Sequence, residues 1–313
     1  DSNKFRLAID IGGTFTDTVL VDKNGKIVAT NKTPTTPENP TISALDGARK
    51  ALRIAGAKCS QVVGFIHGTT LATNSLIERR GATVSTITTE GFRDILEIAY
   101  ERRYSQYDIN LVKPDLIVPR SRAFTIGGRV NASGKVLFPL DEKAFEYLVE
   151  QLKSVNTEAV AICLMHSYAN PAHEIKLRDL LNAEMPNLVI SLSHEVSPEA
   201  REFDRLSTTI ANAYIQPKMS SYLSDFERCF EEIGLTCRIL MMTAGGGMTE
   251  LENAARLPIR LVESGPAGGA ILAARIAAEQ EEGEVLSFDM GGTTAKLCLI
   301  DHYRPQTARK FEI

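Results

Sequence analysis

The chain has 313 residues, 43% hydrophobic and 24% charged, with a formal net charge of −4. This is an ordinary globular composition with length enough for two lobes. The mild negative charge argues against a nucleic-acid surface, which needs a basic stripe, and no apolar run approaches the ~20 residues of a membrane span. Cys59, Cys163, Cys229, Cys237 and Cys298 are odd in number, widely spaced and free of any C-x-x-C pair, which reads as buried thiols in a reduced, cytoplasmic setting. The first residue is Asp1 rather than Met, and no signal peptide is visible.

Residues 5–11, 15–22 and 25–33 read as three successive strands, the last two joined by Asp22-Lys23-Asn24-Gly25, where Asn-Gly is a hairpin signal. After three prolines, a helix is expected from Ile42 to Ala55, with Gly56 past its end. Val62 to Ile66 reads as a strand leading into His67-Gly68-Thr69-Thr70, then a helix to Arg80 and a strand from Val84 to Thr88. Residues 100–122 are irregular and charged. Ala123–Arg129 and Lys135–Pro139 read as hairpin arms. Next come a helix (141–153), a strand (159–165), a helix (171–184) and a strand (188–191). A long helix, interrupted at Pro217, follows over 198–233. Strands at 238–242 and 259–262 precede, respectively, Gly245-Gly246-Gly247 and an Ala-rich helix reaching Ala278. That helix is rich in small residues and is expected to act as a hinge element between lobes.

The first turn, Ile9-Asp10-Ile11-Gly12-Gly13-Thr14-Phe15-Thr16-Asp17, recurs as Phe288-Asp289-Met290-Gly291-Gly292-Thr293-Thr294-Ala295-Lys296. Paired glycines let backbone N–H groups approach an anion, and Thr14 and Thr293 add hydroxyl donors. A carboxylate beside phosphate calls for a cation, so Asp10 and Asp289 are expected to hold Mg²⁺. One copy would pass for an ordinary turn; two copies with matching strands indicate a duplicated lobe. Asp17 aligns with Lys296, which suggests an acid for metal or water in one copy and a base for phosphate oxygens in the other. His67, at a strand's C-terminal end, is a candidate to contact substrate or phosphate. Arg93 and the Arg102-Arg103 pair are candidates to clamp a substrate carboxylate. Gly245 and Gly246 are expected to contact phosphate from a strand-to-helix turn, although this is neither a P-loop nor a dinucleotide fingerprint.

The order βββαβα is that of an RNase H-like lobe, the unit of actin-like ATPases, here with α/β insertions and the start of a second lobe. Only Tyr303 to Ile313 follow the second hairpin, so the chain reads as an N-terminal fragment.

With these residues in hand, the chain resembles the hydantoinase A / 5-oxoprolinase family. The resemblance rests on the two hairpins and on His67-Gly68-Thr69-Thr70-Leu71-Ala72-Thr73-Asn74, Gly91-Phe92-Arg93-Asp94, Ser193-His194-Glu195-Val196, Ala213-Tyr214-Ile215-Gln216-Pro217, Gly245-Gly246-Gly247-Met248 and Ser264-Gly265-Pro266-Ala267-Gly268. It implies an N-terminal family region over 1–190, the start of the main domain over 191–283 and a truncated second lobe over 284–313. It also implies an ATP- and Mg²⁺-dependent subunit, with K⁺ in some members, that phosphorylates the carbonyl oxygen of a small cyclic amide such as hydantoin, 5-oxoproline or a lactam. A hydantoinase B-type partner then completes hydrolysis. In these terms Asp10, Asp17, Asp289 and His67 are the catalytic candidates. Gly12, Gly13, Thr14, Gly245, Gly246, Gly291, Gly292, Thr293, Thr294 and Lys296 are the nucleotide-binding candidates. An ATP-dependent ketone carboxylase subunit and a non-enzymatic ATP-driven activator are the alternatives, and a homo-oligomer is left open.

Overall fold

The structure, a computed structural model, describes residues 4–100, 107–112, 114–290 and 295–308. The chain forms two compact units, one from Asp1–Glu78 with Met219–Ile313 and the other from Arg79–Lys218. The second unit is inserted in the chain within the first.

The first unit begins with strands β1 (Phe5–Ile11), β2 (Phe15–Asp22) and β3 (Ile27–Pro34), helix α1 (Pro40–Ile54), strand β4 (Val62–Thr69) and helix α2 (Leu71–Ile77). The β2–β3 turn forms as expected: the Asp22 carboxylate accepts from the N–H groups of Asn24 and Lys26, and Gly25 takes φ +82°. α2 stops earlier than expected, and Arg79 adopts φ +55° just beyond it.

The inserted unit contains β5 (Val84–Thr89), α3 (Ile95–Ile98), β6 (Ala123–Ile126), β7 (Arg129–Val130), β8 (Val136–Phe138), α4 (Phe145–Ser154), β9 (Ala159–Cys163), α5 (Ala172–Glu184), β10 (Val189–Leu192), α6 (Ser193–Val196) and the first half of α7 (Glu202–Glu232). Its sheet is parallel throughout, in the order β10-β9-β5-β6. Every residue of β9 is buried, as a strand covered on both faces requires. Ala123–Ile126 is therefore a sheet strand and not a hairpin arm; the hairpin is β7–β8 alone. α7 runs unbroken through Pro217, against the expected interruption.

A buried ionic network ties this unit together. One oxygen of the Glu174 carboxylate accepts from Leu164 N (2.9 Å) and Ser193 Oγ (2.6 Å), and the other accepts from the N–H of His194 and meets its Nδ1 (2.7 Å). Fully buried Arg205 donates to Ser193 Oγ and to the carbonyls of Leu164 and Glu199. With its partners in place such a network is tolerable in low dielectric, and it fixes the ends of β9 and β10 against α5 and α7.

The chain returns to the first unit as the end of α7, β11 (Ile239–Met242), β12 (Met248–Glu250), α8 (Leu251–Arg256), α9 (Ser264–Glu279), β13 (Glu284–Met290), β14 (Ala295–Asp301) and β15 (Arg304–Pro305). The expected strand over 259–262 is a short 3-10 turn, Pro258–Leu261. The main sheet has the order β12-β11-β4-β1-β2-β3, with β1–β2–β3 antiparallel and β4 and β11 parallel to β1. Phe5, Leu7, Ile9 and Ile11 alternate to one face of β1, directly opposite Leu20, Thr18 and Thr16 of β2. α1 covers them, approaching most closely where Gly47 lies on Thr18. On the same face Phe65 of β4 packs against Phe226 and Phe230 of α7. β13–β14–β15 form a separate antiparallel sheet. One face of it carries Leu286, Phe288, Met290, Leu297 and Leu299, all exposed. No described helix is long and apolar enough to cross a membrane, and all five cysteines are free.

The close approach of α1 gives a direct test. A methyl at position 47 collides with Thr18 Oγ1, so Gly47→Ala is expected to cost about 1–3 kcal/mol by overpacking. Denaturant unfolding, in which α1 must part from β2, measures it.

Candidate functional site

The alternation that buries Ile9 and Ile11 turns Asp10 to the other face of the sheet. There it stands opposite Asp17 on β2 and beside Gly68 on β4. Asp10 Oδ1 would lie only 2.7 Å from a Cβ at position 68, so a glycine is needed for the carboxylate to lean across β4. Burial lifts the Asp10 carboxyl above the usual carboxylate range, the charges of Asp17 and Asp289 lift it further, and Lys32 offsets part of the rise. Asp17 is itself half-exposed and ion-paired with Lys32 Nζ, 3.0 Å from both oxygens.

The turn between the strands is held from outside. Gly12 N–H donates to Phe15 O, Thr35 N–H to Thr14 O and Thr35 Oγ1 to Gly12 O. Among the described residues, the N–H groups of Gly13 and Thr14 have no acceptor, and both residues are exposed. Asn74, whose amide donates to Thr70 Oγ1, borders Gly13. An open pair of N–H groups and a threonine hydroxyl beside crowded carboxylates suit an anion arriving with a cation.

The second hairpin reproduces the register of the first. Asp289 lies opposite Lys296, as Asp10 lies opposite Asp17. Gly291, Gly292, Thr293 and Thr294 lie outside the described residues, as do Arg102 and Arg103. Lys296 does not reach out for phosphate: its ammonium is paired with Glu263.

Two other expectations are corrected. His67 is fully buried. It falls one residue from Gly68 and so projects into the face covered by α7, where it stacks on Phe226 with ring centroids 4.2 Å apart. Nδ1 faces the carbonyl of Ile9 (3.1 Å) and Nε2 the hydroxyl of Tyr222 (2.7 Å). A carbonyl only accepts, so Nδ1 carries the proton and Tyr222 donates to Nε2. Both nitrogens are used within the fold. Gly245 and Gly246 form the hairpin turn between β11 and β12, not a strand-to-helix turn. Gly246 sits at φ +78°, with Thr243 N–H on Gly247 O and Gly246 N–H on Thr243 O. There is no helix N-terminus to supply them with an anion site.

The sequence reading missed the start of α9 as part of the site. Glu263 takes the left-handed conformation, φ +67°, and its N–H donates to Thr73 Oγ1. A non-glycine residue held there signals strain maintained by its surroundings. Ser264 is buried with a hydroxyl that has no partner, and Gly265 has open space where a Cβ would stand. The signal in the sequence was Glu-Ser-Gly-Pro at the head of a helix. Among the described residues no three His, Cys, Asp or Glu side chains converge to ligate a metal. Mg²⁺ needs only one or two carboxylates when phosphates complete its shell, and the crowding of Asp10 by the charges of Asp17 and Asp289 fits that.

Two family models cover nearly all of the chain: the hydantoinase/oxoprolinase N-terminal region matches residues 6–185, and hydantoinase/oxoprolinase matches 205–313. The chain belongs to the hydantoinase/oxoprolinase family. It is 35% identical to an uncharacterized protein of Methanocaldococcus jannaschii, over 99% of this chain and 45% of that protein. It is 32% identical to the caprolactamase alpha subunit of Pseudomonas jessenii, over 95% of this chain and 43% of that subunit. Among solved structures, nucleotide-free acetone carboxylase matches with a TM-score of 0.86 and 26% identity, over 96% of this chain and 44% of that one. ATP-dependent caprolactamase from Pseudomonas jessenii matches with a TM-score of 0.83 over 94% and 43%. The chain thus spans less than half the length of these relatives.

Burial holds His67 down to a pKa of about 4, against an ordinary 6.5. Below pH 6.5 the unfolded chain therefore takes up a proton that the folded one refuses. The stability His67 contributes is intact above 6.5 and is lost as the pH falls to 4, on the order of 3 kcal/mol in all. His67→Gln is expected to melt lower at pH 7 but to lose less stability between pH 6.5 and 4.5 than the unsubstituted protein, as thermal melts across that range will show.

Proposed function

We propose that this chain carries the phosphate- and metal-holding part of an ATP-dependent subunit that activates a cyclic amide by phosphorylating its carbonyl oxygen. The observation that carries this reading is the Asp10 hairpin, with free Gly13 and Thr14 N–H groups beside a carboxylate crowded by two others. The sheet order supports an RNase H-like lobe of the actin-like ATPase kind, with β13–β15 opening a second lobe on the duplicated hairpin.

An amide is a weak electrophile because its carbonyl is delocalised. Transfer of the γ-phosphoryl group joins phosphorus to the amide oxygen, breaks its bond to ADP and turns that oxygen into a leaving group. Such transfer needs positioning and charge neutralisation more than a strong base. In this reading Gly12, Gly13 and Thr14 cradle phosphate oxygens, the start of α9 adds the Ser264 hydroxyl, and Asp10 and Asp289 would hold Mg²⁺. When bound, the cation neutralises phosphate charge. Asp17 serves as a base only where the nucleophile is water or an enolisable ketone. A B-type partner subunit completes ring opening.

The second reading, a ketone carboxylase subunit, is favoured by the acetone carboxylase likeness. ATP hydrolysis by the full-length protein with its partner separates the two. Stimulation by 5-oxoproline, hydantoin or caprolactam supports the first, and a joint requirement for ketone and bicarbonate the second; turnover indifferent to both sinks both. Asp10→Asn and Asp289→Asn are each expected to lower kcat roughly 100-fold or more, the loss typical of one missing electrostatic contact in a transition state. Unchanged turnover in both variants removes the hairpins from the mechanism.

A further inference from the structure

We propose that Glu263, at the head of α9, is a latch on Lys296 that an arriving phosphate group opens. This rests on the reading of the Asp10 hairpin as a phosphate cradle and adds how that cradle acquires a lysine.

Glu263 precedes the first turn of α9 in the left-handed conformation, φ +67°. That backbone suits glycine, yet the nearest glycine, Gly265, lies outside the left-handed region. A glutamate therefore occupies the strained position, and its side chain has to account for it. The carboxylate makes no capping hydrogen bond to its own helix. It goes instead to the ammonium of Lys296, in a pair whose side chains are 14% and 30% exposed. So sheltered, an ion pair is screened less than one on the open surface. Two contacts of α2 bring the pair beside the first hairpin. Thr73 Oγ1 accepts from Glu263 N–H (3.1 Å). The amide of the next residue, Asn74, lies 3.5 Å from where a Cβ on Gly13 would stand, and Gly13 carries one of the open N–H groups of that hairpin. From the other side, Lys296 lies opposite Asp289, whose charge is close enough to bear on Asp10.

While the two are paired, the attraction of Lys296 and the repulsion of Glu263 largely cancel for an anion on the open N–H groups. Lysine carries its charge on a flexible four-carbon stem, so the ammonium can leave the carboxylate and turn to phosphate oxygens. The exchange favours a ligand only by its differential hold on the two states. A polyphosphate bears more charge than one carboxylate and draws the lysine over, whereas a lone carboxylate offers no more than Glu263 already does. The latch thus opens for nucleotide phosphates and stays shut to weaker anions.

The test is calorimetric titration of Mg-ATP into the full-length protein with no ring substrate present. Glu263→Gln keeps the shape of the side chain and removes its charge. It is expected to bind about three- to tenfold tighter, the range set by parting a partly exposed ion pair. Lys296→Gln is expected to bind more weakly. In the Lys296→Gln background, Glu263→Gln should bring no further tightening, because the latch has nothing left to hold. Tightening of equal size in both backgrounds means plain repulsion by Glu263 and overturns the latch. An affinity that Glu263→Gln leaves unchanged or lowers, or that Lys296→Gln does not weaken, overturns it too. A pair that only braces the fold would lower the melting temperature of Glu263→Gln and leave its affinity where it was. Should Glu263→Gln fail to fold, Glu263→Gly, at ease in the left-handed region, carries the same comparison. Absence of Mg-ATP binding by the unsubstituted protein refutes the phosphate reading and the latch together; binding without the coupling refutes the latch alone.

Discussion

Everything at the candidate site depends on Asp10 being held at the end of a buried strand, across from a second carboxylate. Like charges directly opposite in an antiparallel pair destabilise it, and burial makes ionisation of Asp10 harder still. The fold bears this cost because the register cannot slip. Moving β1 by one residue against β2 would send Ile9 and Ile11 to the open face and Asp10 into the core. The hydrophobic alternation of one strand thus fixes a carboxylate where an unbound site is electrostatically frustrated. A cation would relieve that frustration, which is the physical ground for the metal role proposed for Asp10.

Much of this was legible in the sequence because it is local. Two apolar strands around Gly-Gly-Thr define a hairpin and its register with no help from the rest of the chain, and both hairpins form with the expected pairing. The misreadings share a cause, which is that tertiary packing decided them. His67 lies in a strand whose two faces both read as plausible until α7 brings Phe226 and Tyr222 onto one of them. Pro217 does not break α7, although an isolated helix would lose much there. Gly245-Gly246-Gly247 looked like the head of a helix only because Met248–Glu250 is too short a strand to announce itself. The grouping of residues 1–78 with 219–313 was beyond sequence reading, since nothing local marks a long insertion.

Glu263 shows how the start of a helix enters the site from far along the chain. Its backbone is held in the left-handed region by the hydrogen bond to Thr73, and its carboxylate faces Lys296. Residues from α2, α9 and β14 therefore meet at one point of the first unit. The unpartnered Ser264 hydroxyl beside it belongs to the same feature. A helix N-terminus favours negative charge, so the glutamate is balanced there by the helix and by the lysine together.

That balance changes the meaning of the one difference between the duplicated hairpins. Aligned, Asp17 and Lys296 suggest a division of labour between acid and base. In space each has a partner of opposite charge from another element: Lys32 on β3 for Asp17, and Glu263 at the head of α9 for Lys296. The inversion is compensated on both sides, so either side chain must leave its ion pair before it can act on a ligand. What the two copies keep in common is the aspartate on the first strand, and its surroundings differ because its cross-strand neighbour does. Asp10 faces a carboxylate and Asp289 faces an ammonium. On electrostatic grounds alone, Asp10, lifted by burial and by the charges of Asp17 and Asp289, is a carboxylate with much to gain from a cation.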